Sequence, residues 1–512
     1  MTALGGLDVP AWTDRIGGPL GKHARVSRSL WYNPAPWVTI AMVVTWVILM
    51  LRQLPCIPTM DRPYSRLCYS DIPTLFVNKM NLSLGSVVYY NYAGTDGAWQ
   101  FEYPVLVGGV VWLARWLAGL TGAAIHPFAT LGERVDAAVP FWAFSALLLF
   151  ACFAVLVWAH LEMGRNSASR HTDGVQTRAW DAMFVAAAPV VMLSGLINWD
   201  LLAVALTSVA LLLWARRHPA LAGVVIGLAV SVKFYPLALV VVFLVLCLRA
   251  SRMKAWTAFM AGGMASWVAV NLPVMIKAPQ AWSIYWTYNA QRGPDYGSLW
   301  YILTLAGAPL SDALVTMLSA LALAACGGII VGLTLSAPRR PRVGQVALLV
   351  LVAFLVFNKV YSPQYVLWLL PVVVLARPVL HDLAAFTISE SLYYFAIWGY
   401  LGGALARNSG PDHLYWLAVA LRIGVQLWLA YRVLDDMRHP WSDPVRGPFI
   451  DDPIGGVLKH APDATWMLAA PPRPLEDAPE PWEEIAEKVS SSGSTARDKG
   501  FGPEVDLKHH GT

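Results

Sequence analysis

Charge is scarce in this chain: 13% of its 512 residues are charged, against 57% hydrophobic. A soluble domain carries about 25% charged residues. So little charge cannot cover a water-facing surface of this size. No glycine loop leading into Lys-Ser/Thr occurs, so a nucleotide motor has no phosphate cradle. The histidines show no metal-ligand spacing, and neither a metal nor a cofactor is expected. Cysteines number five. Cys152, Cys247 and Cys326 fall in apolar runs and read as packing residues. Cys56 and Cys68 fall in one polar loop and form a candidate disulfide if that loop meets an oxidising compartment.

What is abundant is apolar sequence, with 24 Trp and 19 Tyr to sit at bilayer interfaces. The fold class is therefore an all-α polytopic membrane protein. Residues 1–36 are polar and lack the apolar run of a cleaved signal, so they read as a cytoplasmic segment before an uncleaved first span. Spans are expected near 37–52, 139–160, 180–197, 200–215, 220–232, 236–249, 255–275, 310–335, 343–357, 364–376, 383–402 and 414–433. Basic clusters in the short loops set their direction: Arg165/Arg170/Arg178, Arg216/Arg217, Arg249/Arg252/Lys254, Arg339/Arg340/Arg342, Arg377 and Arg432/Arg438. All face the cytoplasm if about twelve helices cross with both termini inside the plasma membrane. That count demotes residues 104–122, apolar but interrupted by Arg115 and glycines, to a surface helix. The net charge of +5 then follows from retained cytoplasmic cations and requires no nucleic-acid partner.

Three regions result: the segment 1–36, a membrane domain over 37–435 with a large outer loop at 53–138, and a tail over 436–512. The tail is acidic and proline-rich and reads as mostly disordered, with a short helix near 481–488.

The outer loop is patterned. Ile72, Leu75, Phe76, Met80 and Leu84 recur at helical spacing and predict an amphipathic helix from about Ser70. Asp71 at its start is either a helix cap or a general base held at the membrane surface. Glu102, before Tyr103-Pro104, either complements a helix N-terminus or contacts substrate. Further ionisable groups sit at outward helix ends: Asp200 after Asn198, Lys233, Arg292 with Asp295, and Lys359. Charge at membrane depth is costly, which makes these functional candidates. Lys233, Arg292 and Lys359 together suit a phosphate. Snorkelling, or pairing with Asp200 or Asp295, is the structural alternative. Glu390 reads as the structural partner of Arg422.

The acid in the first outer loop, EYPVL, NWDLL, the lone Lys before Pro, RGPDYGSLW and above all NKVYSPQYVLWLLP resemble the actinobacterial polyprenyl-phosphate-mannose-dependent alpha-(1,2)-mannosyltransferases, over roughly residues 37–435. The resemblance implies the GT-C fold with surface helices in the first outer loop. It implies a polyprenyl-phosphate hexose donor, used as a substrate and not a cofactor, and an envelope glycolipid or polysaccharide acceptor. Asp71 would be the general base of an inverting transfer. Arg292, Lys359 and Lys233 would hold the donor phosphate. Glu102, Tyr103, Asn198, Asp200, Tyr361 and Gln364 would contact substrate. No second acid adjoins Asp71 to invite a divalent metal. A pentosyl (arabinosyl) transferase of the same fold, a flippase for a lipid-linked sugar, and an envelope scaffold recruiting partners through its tail are the alternatives.

Overall fold

The computed structural model describes residues 33–57, 62–78, 89, 101–126, 129–166, 177–405, 412–446 and 451–466. Among them every regular element is a helix. Hydrocarbon offers no partner for a backbone N–H or C=O, and a helix satisfies both within one segment. In chain order the helices are α1 (Pro34–Gln53), α2 (Asp71–Asn78), α3 (Val105–Gly119), α4 (Leu131–Asn166), α5 (Met183–Ala186), α6 (Pro189–Ser194), α7 (Asp200–Ala215), α8 (Pro219–Val230) and α9 (Ala238–Arg249). They continue with α10 (Met253–Lys277), α11 (Pro279–Gln291), α12 (Leu299–Leu305), α13 (Asp312–Ser336), α14 (Val343–Phe357), α15 (Val366–Ala376), α16 (Leu380–Leu401) and α17 (His413–Arg438).

Local sequence explains many of their starts. Asn33 Oδ1 accepts from Ala35 N at 3.1 Å ahead of Pro34, and Ser298 and Ser311 cap α12 and α13 in the same manner. Prolines open α6, α8 and α11, where the missing N–H has no intrahelical partner to lose.

Each of the twelve expected spans falls on helical residues, but the one at 180–197 is broken. A 3-10 turn over Thr177–Ala182 leads into the short α5 and α6, with Pro189 restarting the helix. Five helices are long and apolar enough to cross a membrane by themselves: Pro34–Cys56, Leu131–Arg165, Met253–Lys277, Asp312–Ser336 and His413–Arg438. The chain is an all-α polytopic membrane protein. α3, expected as a surface helix, has 15 residues, about 22 Å at 1.5 Å per residue. It packs on α4 by one face, burying Val107, Val111, Ala114 and Arg115, while Trp112 and Trp116 face outward. The helix predicted from Ser70 is α2; Met80 and Leu84 lie outside the described residues.

The tightest helix pair is α8 with α10. A Cβ on Gly223 would meet Phe259 O at 1.9 Å, and one on Gly227 would meet Ser266 Oγ at 2.1 Å. In lipid, burying apolar surface between helices gains little, so small residues that let backbones touch supply the association.

The described helices share one sense at two ends. Asp200, Ala238 and Phe357 lie at the end that carries the cavity described below, while Ala215, Arg249 and Val343 lie at the end carrying the arginines. Here the structure departs from the expected disordered tail. Residues 443–446 and 451–466 are folded against the arginine-rich end. Asp443 pairs with Arg342 through two contacts, 2.7 and 2.9 Å. Asp452 Oδ2 accepts from Val343 N at 2.8 Å. Asp463 accepts from Arg249 at 2.9 Å and from Arg340 at 3.1 Å. The acids that made this stretch look solvated are the counter-ions of basic residues that otherwise served only to set topology. The helix expected near 481–488 lies outside the described residues.

Candidate active site

The site begins with how the loop after α1 is pinned. Cys56 and Cys68 form a disulfide, Cα to Cα 6.0 Å, which closes the loop just beyond α1. Arg52 then donates to Met192 O at 3.0 Å and Leu193 O at 2.7 Å, and also to Leu67 O. Ser70 Oγ donates to Leu196 O at 2.6 Å, and Asp71 N donates to Ile197 O at 2.7 Å. The start of α2 is thereby fixed to the turn before α7. The capping role falls to Ser70, whose Oγ accepts from Ile72 N at 3.3 Å. The Asp71 carboxylate is left to line a cavity.

That cavity encloses about 690 Å³ and is lined by Asp71, Glu102, Tyr103, Asn198, Lys233, Arg292, Asp295, Lys359 and Gln364, with an aromatic wall. Nine residues nominated from sequence thus converge, from segments almost 300 residues apart. Two do not reach it. Asp200 is fully buried; it accepts from Trp368 Nε1 at 2.9 Å and lies 3.4 Å from Lys233 Nζ. Tyr361 is fully buried beneath Arg422, whose guanidinium carbon sits 3.5 Å from the ring centroid. Both were expected to contact substrate, and neither lines the cavity. Arg422 pairs with Glu390 at 2.9 Å as expected.

The cations are already engaged. Arg292 pairs with Asp295 through Nε and Nη2, both of which donate to the one oxygen Oδ2. Lys359 Nζ donates to Ala290 O at 3.0 Å and Thr316 Oγ1 at 3.3 Å. Lys233 lies over the Tyr103 ring, 5.1 Å from its centroid. Asp71 itself accepts from the Tyr69 hydroxyl at 2.7 Å. Burial pushes the Asp71 carboxyl up to about 6; Tyr69, the Lys233 charge and Asn198 pull it down, and the Asp200 charge pushes it further up. The result is a carboxylate ionised at neutral pH and basic enough to take a proton.

Sequence reasoning missed the aromatic wall. Tyr64 stacks on Tyr69 at 5.3 Å and on Trp398 at 5.7 Å, and Trp368 stacks between Tyr365 at 3.8 Å and Tyr235 at 4.5 Å. Nothing local marks these rings, since the chain supplies aromatics everywhere. The fold also holds an apolar groove of about 250 Å³ between α9, α13 and α14, lined by Val241, Val245, Leu323, Ile330 and Val350. Phe234, Tyr235 and Phe354 line both groove and cavity, so the two adjoin.

Residues 120–363 match the family model of glycosyltransferase family 87. The matched stretch contains Asn198, Asp200, Lys233, Arg292, Lys359 and Tyr361, while Asp71, Glu102, Tyr103 and Gln364 lie outside it. With the apolar helices, the match indicates a membrane glycosyltransferase. No curated protein matches the chain.

Proposed function

We propose that this protein transfers a hexose, mannose by resemblance, from a polyprenyl-phosphate donor to an envelope glycolipid or polysaccharide on the outer face of the plasma membrane. The observation that carries the reading is a single cavity holding one basic-enough carboxylate, Asp71, together with three cations, beside an apolar groove. Asp71 removes the proton from an acceptor hydroxyl as its oxygen attacks the anomeric carbon. The bond from that carbon to the phosphate oxygen breaks, and the configuration inverts to an alpha linkage. The leaving phosphate monoester gains negative charge. Arg292 and Lys359 stabilise it, with Lys233 nearby, and this preorganised charge does more than a separate acid would. Arg292 must exchange Asp295 for the donor phosphate, and its planar fork suits both. The isoprenoid chain lies in the groove, where each buried methylene contributes about 0.8 kcal/mol. The outward placement follows the basic loops, which gather at the end away from the cavity.

The test is Asp71→Asn in membranes given labelled polyprenyl-phosphate mannose, with polyprenyl-phosphate arabinose in parallel. Loss of mannose transfer by at least about a hundredfold is expected for a missing general base. Undiminished transfer would remove Asp71 from the mechanism, and transfer of arabinose alone would make the enzyme a pentosyltransferase. A reporter fused at residue 170 should read as cytoplasmic.

A further inference from the structure

Asp200 has no place on the cavity surface, yet it is a fully buried carboxylate at the first residue of α7. Its Oδ1 meets Trp368 Nε1 and Lys233 Nζ, while its Oδ2 has no hydrogen-bond partner among the described residues. A buried carboxylate is tolerated in its charged form only with a close counter-charge, and Lys233 supplies it at 3.4 Å. The same turn holds Asp71: Ile197 O accepts from Asp71 N at 2.7 Å, and Asn198 Oδ1 accepts from Asp200 N at 3.0 Å. Two carboxylates are thus built onto one turn, residues 197–200; Lys233 lies 3.4 Å from Asp200 and lines the same cavity as Asp71, so its charge acts on both.

We infer that Asp200 is a positioning residue that anchors Lys233 beside Asp71, so that Lys233 sets the pH range in which Asp71 works and is not primarily a ligand of the donor phosphate. The inference rests on the reading of Asp71 as the base. Its physical content is a division of one cation between two acids. Before reaction Lys233 supports two negative charges. When Asp71 takes the acceptor proton, Lys233 is left with Asp200 alone and stays charged and in place. The charged and titratable groups around Asp71 come from every neighbouring segment: Tyr69 on its own loop, Glu102 and Tyr103 ahead of α3, Asp200 on α7, Lys233 after α8, and Tyr288 on α11. From α4, Arg134 donates to Val77 O at the far end of α2. Lys233 is the cation that lowers the Asp71 carboxyl most directly.

The signs are opposite for the two partners. Asp200→Asn keeps an acceptor for Trp368, removes a repelling charge and releases Lys233 to Asp71, so ionised Asp71 gains stability. Lys233→Gln removes the attraction. The experiment is the pH profile of mannosyl transfer, normalised to each variant's own maximum, for the full-length protein in native membranes with labelled polyprenyl-phosphate mannose. The acid limb should move to lower pH in Asp200→Asn and to higher pH in Lys233→Gln, each by about one pH unit, as for a charge removed from close range. KM for the donor should change less than about threefold in Lys233→Gln, because on this reading Arg292 and Lys359 hold the phosphate and Lys233 faces the two acids. Normalisation makes the result independent of how much protein folds. Unmoved limbs in both variants, or a donor KM that rises tenfold in Lys233→Gln with the limb in place, would overturn the inference and leave Asp71 as base intact. Full activity in Asp71→Asn would instead sink the reading beneath it.

Discussion

The Tyr69 hydroxyl donates to Asp71 Oδ1 at 2.7 Å, and the two residues flank Ser70, which ties them to the turn before α7. This contact stabilises the ionised carboxylate, so its removal raises the Asp71 pKa from about 6. A base works only when ionised, and activity therefore falls as pH drops through that value. Tyr69→Phe should move the acid limb up by about one pH unit, the worth of a hydrogen bond to a charged group. Transfer should fall by about twofold at pH 7 and about tenfold at pH 5 relative to the parent. A pH–rate series with saturating donor checks this, and an unmoved limb would show that Tyr69 serves only the aromatic wall.

Arg292 donates from Nε and Nη2 to a single oxygen of Asp295, and the same edge of its guanidinium could hold a phosphate. Arg292→Gln should lower kcat/KM for the donor by about a hundredfold, the range found when one donor to a developing oxyanion is lost. Arg292→Lys should recover only part of that, since an ammonium offers a point charge and not a planar fork. Full rescue by Lys, measured at subsaturating donor, would mean that only charge matters here.

How much of this was legible follows from which forces act locally. Helices and their approximate ends were legible because lipid demands apolar runs, and Pro34, Pro219 and Pro279 mark the starts. The convergence of Asp71, Lys233, Arg292 and Lys359 was legible because ionisable groups at the ends of apolar helices are expensive and therefore rare. The burial of Asp200 and Tyr361 was not, since Trp368 and Arg422 cover them from 168 and 61 residues away. The folded tail was not legible for the same reason. Asp443 and Asp463 meet arginines about 100 and 214 residues earlier, and no periodicity encodes such a pairing.

Gly327 lines the apolar groove, and a Cβ placed on it would touch nothing within 4 Å. A larger side chain there is therefore compatible with the fold yet takes space from the groove. Gly327→Phe should raise KM about tenfold for a long-chain polyprenyl donor, which loses roughly two methylenes of burial. A short, water-soluble isoprenoid donor that never reaches α13 should be unaffected. Equal effects on both donors would place the lipid chain elsewhere.

The tail makes the last prediction, because its docking depends on one backbone conformation as well as on charge. Gly456 has φ of +60°, and a Cβ on it would lie 1.9 Å from Trp214 O; Trp214 Nε1 also donates to Gly455 O at 3.1 Å. Gly456→Ala should therefore lift the strap off the end of α7 while changing no charge. Asp443→Ala does the reverse: it leaves the backbone alone and strands Arg342, buried with Asp443, without its counter-ion. Removing one partner of a buried pair costs about 3–5 kcal/mol, so this variant should lower the unfolding temperature in detergent more than any surface acid does. Truncation after residue 466 removes none of these contacts and should leave that temperature unchanged. If the Asp443→Ala variant unfolded with the parent, the pair would add no net stability and the folded tail would not hold α7, α9 and α14 together. If it unfolded early while the truncation did not, the stabilising part of the tail would be confined to residues 443–466.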